Sequence, residues 1–288
     1  MEKLELINVK DSITLYNFLK DNYISKNLTD KLMAKKHILL DEKTLKKNRK
    51  LKNGDKIIIL IDDEENNIRG INGNLEILYE DEDILCVIKP RGICMHSYNI
   101  DINLDNYISY IFKERGLKRK VRFINRLDMD TRGIVLVAKN PIIQNYFDSE
   151  DSCYEKYYIA IIEGNINNSN KIFAKEENCM TLYSKYDDIL KKQIISEEFK
   201  VGYKKTITKF KILETYENYS IVEVKLETGR THQIRATFSH LGYPLLGDKL
   251  YGSKSKINTF NLINYKVSFR SFRKKRIVKL EIPIMNDF

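Results

Sequence analysis

Two spacings of apolar residues alternate along this chain. Leu15, Phe18 and Leu19, then Leu28, Leu32 and Met33, and later Leu104, Ile108, Ile111 and Phe112 recur at three and four residues, the last set ended by Gly116. Such recurrence puts each set on one face of a helix. Between and after them come β-branched or alternating runs that predict strands: Ile38–Leu40, Ile57–Ile61 behind the turn Asn53-Gly54-Asp55, and Leu75–Tyr79 and Ile84–Lys89 around the acidic turn Glu80–Asp83. The stretch VRFINRLDMDTRGIVLVAKN, ending at Asn140, reads as a strand-like lead-in (Val121, Phe123, Ile124), a polar turn and a buried strand Ile134–Ala138. Pro141 opens a short helix through Phe147, a first-turn position that proline tolerates. Lys156–Gly164, Thr206–Leu213, Ser220–Leu226 and Leu262–Phe269 complete the strands. Two stretches have little to bury. Residues 63–74, acidic and then Asn/Gly-rich, predict a linker between a small unit at 1–62 and a large domain at 75–288. Residues 165–200, Asn-rich and then Lys-rich around Asp187–Lys192, predict an irregular exposed excursion.

The length of 288 residues fits one small and one large domain, and a 42% apolar fraction suffices for real cores. No run of eighteen apolar residues predicts a membrane span. The opening MEKLELINVKDS lacks a basic-then-apolar leader, so no secretion signal is expected. Cys86, Cys94, Cys153 and Cys179 form no CxxC pair and predict reduced thiols in a cytoplasmic protein. His232 and His240 lack partners at ligand spacing, so no metal is expected. The net charge of +10 is concentrated: ten Lys/Arg against three acids from Lys31 to Lys56, and Arg270, Arg273, Lys274, Lys275, Arg276 and Lys279 near the end. Two separated basic patches point to nucleic acid, where phosphate neutralisation supplies sequence-independent affinity.

Candidate chemistry centres on the turn. Asp128, flanked by Arg126 and Arg132, is placed as a positioned carboxylate beside a polyanion. Asn125-Arg126-Leu127-Asp128, Thr131, Gly133, Ala138 and Lys139 resemble the H-R-L-D-x-x-T-S-G signature of the RluA/RluD family of RNA pseudouridine synthases, with Asn125 in place of His and Arg132 in place of Ser. Lys89, Pro90, Gly92 and His96 fit the K-P-x-G-x-x-x-H block of that family. Lys156, Tyr158, Ala160, Ile162 and Gly164 fit its K-x-Y-x-A-x-V-x-G block. The longest match, Gly229–Gly252, runs GRTHQIRATFSHLGYPLLGDKLYG, with Thr237 in place of a second His. The N-terminal pair of helices followed by a basic β-hairpin resembles the S4 (αL) RNA-binding module, with Ser25-Lys26 where Ser-Arg is usual.

These resemblances imply an α+β fold with a mixed, largely antiparallel sheet. They imply a cofactor-free RNA-modifying isomerase that turns uridine into pseudouridine, in 23S ribosomal RNA with tRNA as the alternative substrate, acting as a monomer. Asp128 would be the catalytic carboxylate, Arg235 its cationic partner and Tyr158 the residue against the base. Arg126, Lys89, His96, Arg132, Arg230 and His232 would contact RNA, as would Lys31, Lys35 and Lys36 of the S4-like unit. A non-catalytic RNA-binding or ribosome-assembly protein on a retired synthase fold would lack Asp128, Tyr158 or Arg235, and all three are present.

Overall fold

The structure, a computed structural model, describes residues 2–61, 63, 67–96, 102–168 and 173–284. The chain begins with strand β1 (Glu2–Ile7), helices α1 (Leu15–Asp21) and α2 (Lys26–Ala34), and strands β2 (Ile38–Leu40), β3 (Lys43–Thr44) and β4 (Lys56–Ile61). Thr14 and Ser25 cap the helices, each side-chain oxygen accepting from a backbone N–H one turn on. The strands form an antiparallel sheet in the order β1-β4-β2-β3. Alternation along β4 turns Ile57, Ile59 and Ile61 inward against Leu15, Leu19 and Ile38.

The described part of the 63–74 stretch carries no helix or strand, yet it is not slack. Asp63 grips Arg122, with Arg122 Nη2 donating to Oδ1 at 2.7 Å. Ile71 N donates to Asn106 O at 3.0 Å and Asn106 Nδ2 to Arg69 O at 2.9 Å. Gly73 lies so close to Tyr107 that a Cβ there would stand 2.5 Å from the ring.

The remainder supplies β5 (Ile77–Glu80), β6 (Ile84–Lys89), α3 (Leu104–Glu114), β7 (Arg132–Ala138), α4 (Pro141–Phe147), β8 (Glu155–Glu163), β9 (Asn178–Asp187), β10 (Lys192–Ser196), β11 (Lys204–Thr215), β12 (Tyr219–Leu226), α5 (Gln233–His240), β13 (Leu262–Arg270) and β14 (Ile277–Glu281). Ten strands form one sheet in the order β10-β9-β11-β12-β8-β13-β7-β6-β5, with β14 on β13. Every pairing is antiparallel except β13 with β7, which makes this the mixed, largely antiparallel α+β fold expected from sequence. The central strands are apolar throughout because both faces are covered. Ile134, Leu136, Ile159 and Ile263 face α4, while Val135, Val137, Tyr158 and Ala160 join the cluster that holds residues of α3 and α5.

Two expectations are corrected. Residues 178–196 are a regular hairpin, β9 paired with β10, rather than an irregular excursion. Among its strand residues only Leu182, Ser184, Gln193 and Ser196 are buried, and three of those four are polar, so the apolar pattern of a strand is weak. The lead-in at 121–124 is not a strand: Phe123 makes one isolated bridge to Val137, and Ile124 N donates to Leu136 O at 2.8 Å. The small N-terminal unit leans on the α4 side of the large sheet. The Tyr23 ring meets Tyr146 edge-on at 4.9 Å, and its hydroxyl donates to Asp151 at 2.6 Å. Arg273, from the C-terminal basic cluster, serves inside the protein, bonded to Asp83 at 2.8 Å and to Glu2. No helix among the described residues is long and apolar enough to cross a membrane.

Gly133 shows how the sheet constrains the signature turn. Its φ is +136°, and a Cβ would stand 2.3 Å from Asn264 O and 2.6 Å from Asn264 N on β13. Neither backbone atom can move without opening the β7–β13 pairing. Gly133→Ala is therefore expected to cost ~4 kcal/mol or more of unfolding free energy. Gly116→Ala, at φ +66° in open space, costs about 1 kcal/mol. Urea titrations of the two variants check this; equal midpoints would contradict it.

Candidate active site

The Asp128 turn is held from inside and from outside. Leu127 is buried, and Thr131 N closes the turn on Asp128 O at 3.1 Å. Asn125, also buried, donates through Nδ2 to Ile134 O at 2.9 Å and accepts on Oδ1 from Leu136 N at 2.9 Å. Its amide thus acts as a rung on the edge of β7, a role that needs no titratable ring. Lys89, at the end of β6, is fully buried, and its Nζ donates to the carbonyls of Pro90 at 2.9 Å, Ile93 at 2.9 Å and Met129 at 2.8 Å. The expectation that Lys89 faces RNA is corrected: its three protons tie the K-P-x-G turn to the residue after Asp128. Burial pushes its pKa down to about 8, with the charges of Asp130 and Asp128 opposing.

The carboxylate itself is set by α5. The helix starts from Gln233, whose Oε1 accepts from Thr228 Oγ1 at 2.9 Å and from Arg230 N at 3.0 Å. Gln233 Nε2 donates to Ile207 O at 3.1 Å and to Thr208 Oγ1 at 3.0 Å, moored on β11. Two residues on, Arg235 is buried with 8% of its side chain exposed. Its Nη1 donates to Asp128 Oδ2 at 3.1 Å, while Nε and Nη2 fork onto Asp248 at 2.6 and 2.9 Å. The guanidinium lies 4.4 Å from the ring centroid of Phe260 and 5.0 Å from that of Tyr251. Burial alone would lower the arginine pKa, but Asp248 first and Asp128 after it hold it above its ordinary value. Arg235 is thus a fixed cation that orients one oxygen of Asp128. The other, Oδ1, takes no hydrogen bond among the described residues.

Asp128, Tyr158, Arg235, Arg126, Arg230 and His232 all line one pocket of about 240 Å³. Tyr158 is buried on β8, and burial, with the Asp128 charge adding, raises its phenol pKa well above the ordinary value. It therefore keeps its proton at neutral pH. His232 sits at left-handed φ +53° with Nδ1 3.1 Å from Tyr251 Oη and Nε2 3.8 Å from Asp128 Oδ2. Burial holds its pKa below the ordinary imidazole value, opposed by Asp128 and assisted by Arg235. Arg126 and Arg230 are exposed at the rim. Arg132 begins β7, His96 is bonded to Asp105, and Lys31, Lys35 and Lys36 are exposed at the end of α2; none of these five lines the pocket. Sequence reasoning assigned no role to Asp248 as the partner of Arg235 or to Gln233 as a mooring. Thr237, where the pattern has His, is fully buried with its hydroxyl 3.4 Å from that of Thr208.

Residues 83–240 match the family model described as RNA pseudouridylate synthase. An uncharacterized RNA pseudouridine synthase of Bacillus subtilis, YhcT, is 34% identical over 262 residues, covering 88% of this chain and 83% of that one. Ribosomal large subunit pseudouridine synthase D of Borreliella burgdorferi is 32% identical over 240 residues, 76% of this chain and 71% of that one. Among solved structures, human RNA pseudouridylate synthase domain containing 1 is similar with a TM-score of 0.57 at 25% identity, covering 74% of this chain and 85% of that one.

The Lys89 anchor has a measurable consequence. Lys89→Met leaves three carbonyls short of a donor and is expected to destabilise the protein by about 2–4 kcal/mol in urea titrations. The folded lysine loses its proton from about pH 8, whereas an unfolded lysine keeps it to 10.5. The folded state therefore binds fewer protons across that window, and wild-type stability gains on the variant as pH rises. The deficit of Lys89→Met should widen between pH 8 and 10.5; a deficit that narrows contradicts the assignment.

Proposed function

Since the chain belongs to the RNA pseudouridylate synthase family, and so is an RNA-modifying isomerase, we propose that it converts uridine to pseudouridine in large-subunit ribosomal RNA with Asp128 as the catalytic carboxylate. The observation that carries the residue assignment is the 3.1 Å contact of Asp128 with a buried Arg235 in the same pocket as Tyr158. The choice of RNA draws on relatives named ribosomal large subunit pseudouridine synthase D. Such an enzyme works in the cytoplasm, as a single chain.

The isomerisation breaks the C1′–N1 bond, turns the uracil and joins C5 to C1′; atoms and charge balance without a cofactor. The target must leave its stack to reach the pocket, at a cost of roughly a few kcal/mol. Arg126 and Arg230 at the rim are placed for the flanking phosphates. Asp128 starts the reaction through Oδ1, while Arg235 holds the carboxylate in a fixed orientation, which spares reorganisation during the reaction. Tyr158 presents its ring to the base and its protonated hydroxyl to the pocket. Residues 1–62 act as the S4-like module, with Lys31, Lys35 and Lys36 on RNA backbone.

Pseudouridines mapped in total RNA from cells lacking the gene should show a missing site that the wild-type protein restores. Asp128→Asn should not restore it, and its single-turnover rate should fall at least about 10³-fold. A site restored by the Asn variant would clear Asp128 of this role.

A further inference from the structure

Lys156 stands apart from the buried cations. Lys89 is saturated by three carbonyls, Arg235 by two carboxylates, and Lys139 by Glu80 at 2.9 Å and Asp81 O at 2.5 Å. Lys156 is half-buried and lines the pocket, but among the described residues no carboxylate or carbonyl receives its ammonium. Its contacts are the Tyr154 ring, 5.3 Å to the centroid, and the loop at Gly229, where a Cβ would stand 3.5 Å from Nζ. Strand alternation puts Lys156 on the same face of β8 as Tyr158, two residues on. Burial holds its pKa below the ordinary value, and among the described residues no anion stands beside it to repay that cost. A desolvated cation left unmatched inside a pocket is matched by what enters the pocket.

We propose that Lys156 is a catalytic residue whose ammonium donates a hydrogen bond to a carbonyl oxygen of the target uracil and stabilises the negative charge that the ring takes up when it leaves C1′. The inference rests on the pseudouridine synthase reading of the site. When the C1′–N1 bond breaks, its electron pair passes to the uracil and spreads over N1, O2 and O4. The charge persists until C5 bonds to C1′, C5 loses its proton and N1 gains one. Lys156 keeps its three protons throughout and acts only as a donor, as a fixed dipole or cation does at a developing oxyanion. Backbone phosphates are a poorer fit for it, because Arg126 and Arg230 already occupy the exposed rim.

The test compares wild type, Lys156→Met and Lys156→Arg in single-turnover reactions on an RNA fragment carrying the mapped uridine. The same fragment with 4-thiouridine at that position, whose ring bears negative charge more readily, serves as the second substrate, and RNA affinity is measured alongside. Lys156→Met should slow the saturated rate by about 10²–10³-fold with RNA affinity changed less than about threefold. Lys156→Arg should recover at least about a tenth of the wild-type rate, and 4-thiouridine should shrink the Met deficit by about tenfold. An unchanged saturated rate with affinity lowered tenfold or more would make Lys156 a phosphate contact and overturn the proposal. A deficit equal on both RNAs would overturn it too, as a structural role alone predicts. If wild type forms no pseudouridine on either RNA, the parent reading of the site fails, a result distinct from the first two.

Discussion

A single buried guanidinium, held between two carboxylates, is the constraint from which the site follows. Arg235 could not be left in the interior without counter-charge, and Asp248, itself almost wholly enclosed, provides a bidentate partner. With that pair fixed, the remaining Nη1 has one direction to point, and Asp128 stands in it. The rings of Phe260 and Tyr251 pack against the guanidinium. The proposed reactive carboxylate is thus oriented by a cation that cannot relax, which is how a site avoids reorganisation while charge moves.

The scaffold delivers this geometry through chain segments far apart in sequence. Asp128 comes from the turn into β7, Tyr158 from β8, Arg235 from α5 and Asp248 from the turn beyond it. The parallel contact of β13 with β7 forces glycine at 133, and Lys89 fastens the other side of the same turn. The departures from the family pattern fit this picture. Asn125 substitutes hydrogen bonds for an imidazole without touching the pocket charge, and Thr237 packs against β11.

Much of the fold was legible in the apolar spacing. The central strands were visible because burial on both faces leaves them apolar, α1 to α3 because each has one apolar stripe, and α4 because Pro141 opens it. The β9–β10 hairpin was not, since most of the positions it buries are polar, Ser184, Gln193 and Ser196 beside Leu182. Strand β1, EKLELI, escaped notice because Leu4 is its one buried residue and its partner β4 lies some fifty residues on. Within the site, Asp128, Tyr158 and Arg235 were readable through motif register alone. Lys89 was misread for a physical reason: lysines are almost never fully buried, and three converging carbonyls leave no mark in composition. Asp248 drew no role because nothing in the sequence pairs it with Arg235, thirteen residues earlier, whose fork it accepts.

A double-mutant cycle of Arg235→Lys and Asp248→Asn, read in single-turnover rates on the modified RNA, tests the central claim most directly. If Asp248 acts only by fixing Arg235, the double variant is no slower than the slower single variant, with a coupling of at least ~1 kcal/mol. Rate losses that multiply independently would mean that Asp248 acts on the reaction by another route, and that the buried guanidinium is not what sets the carboxylate.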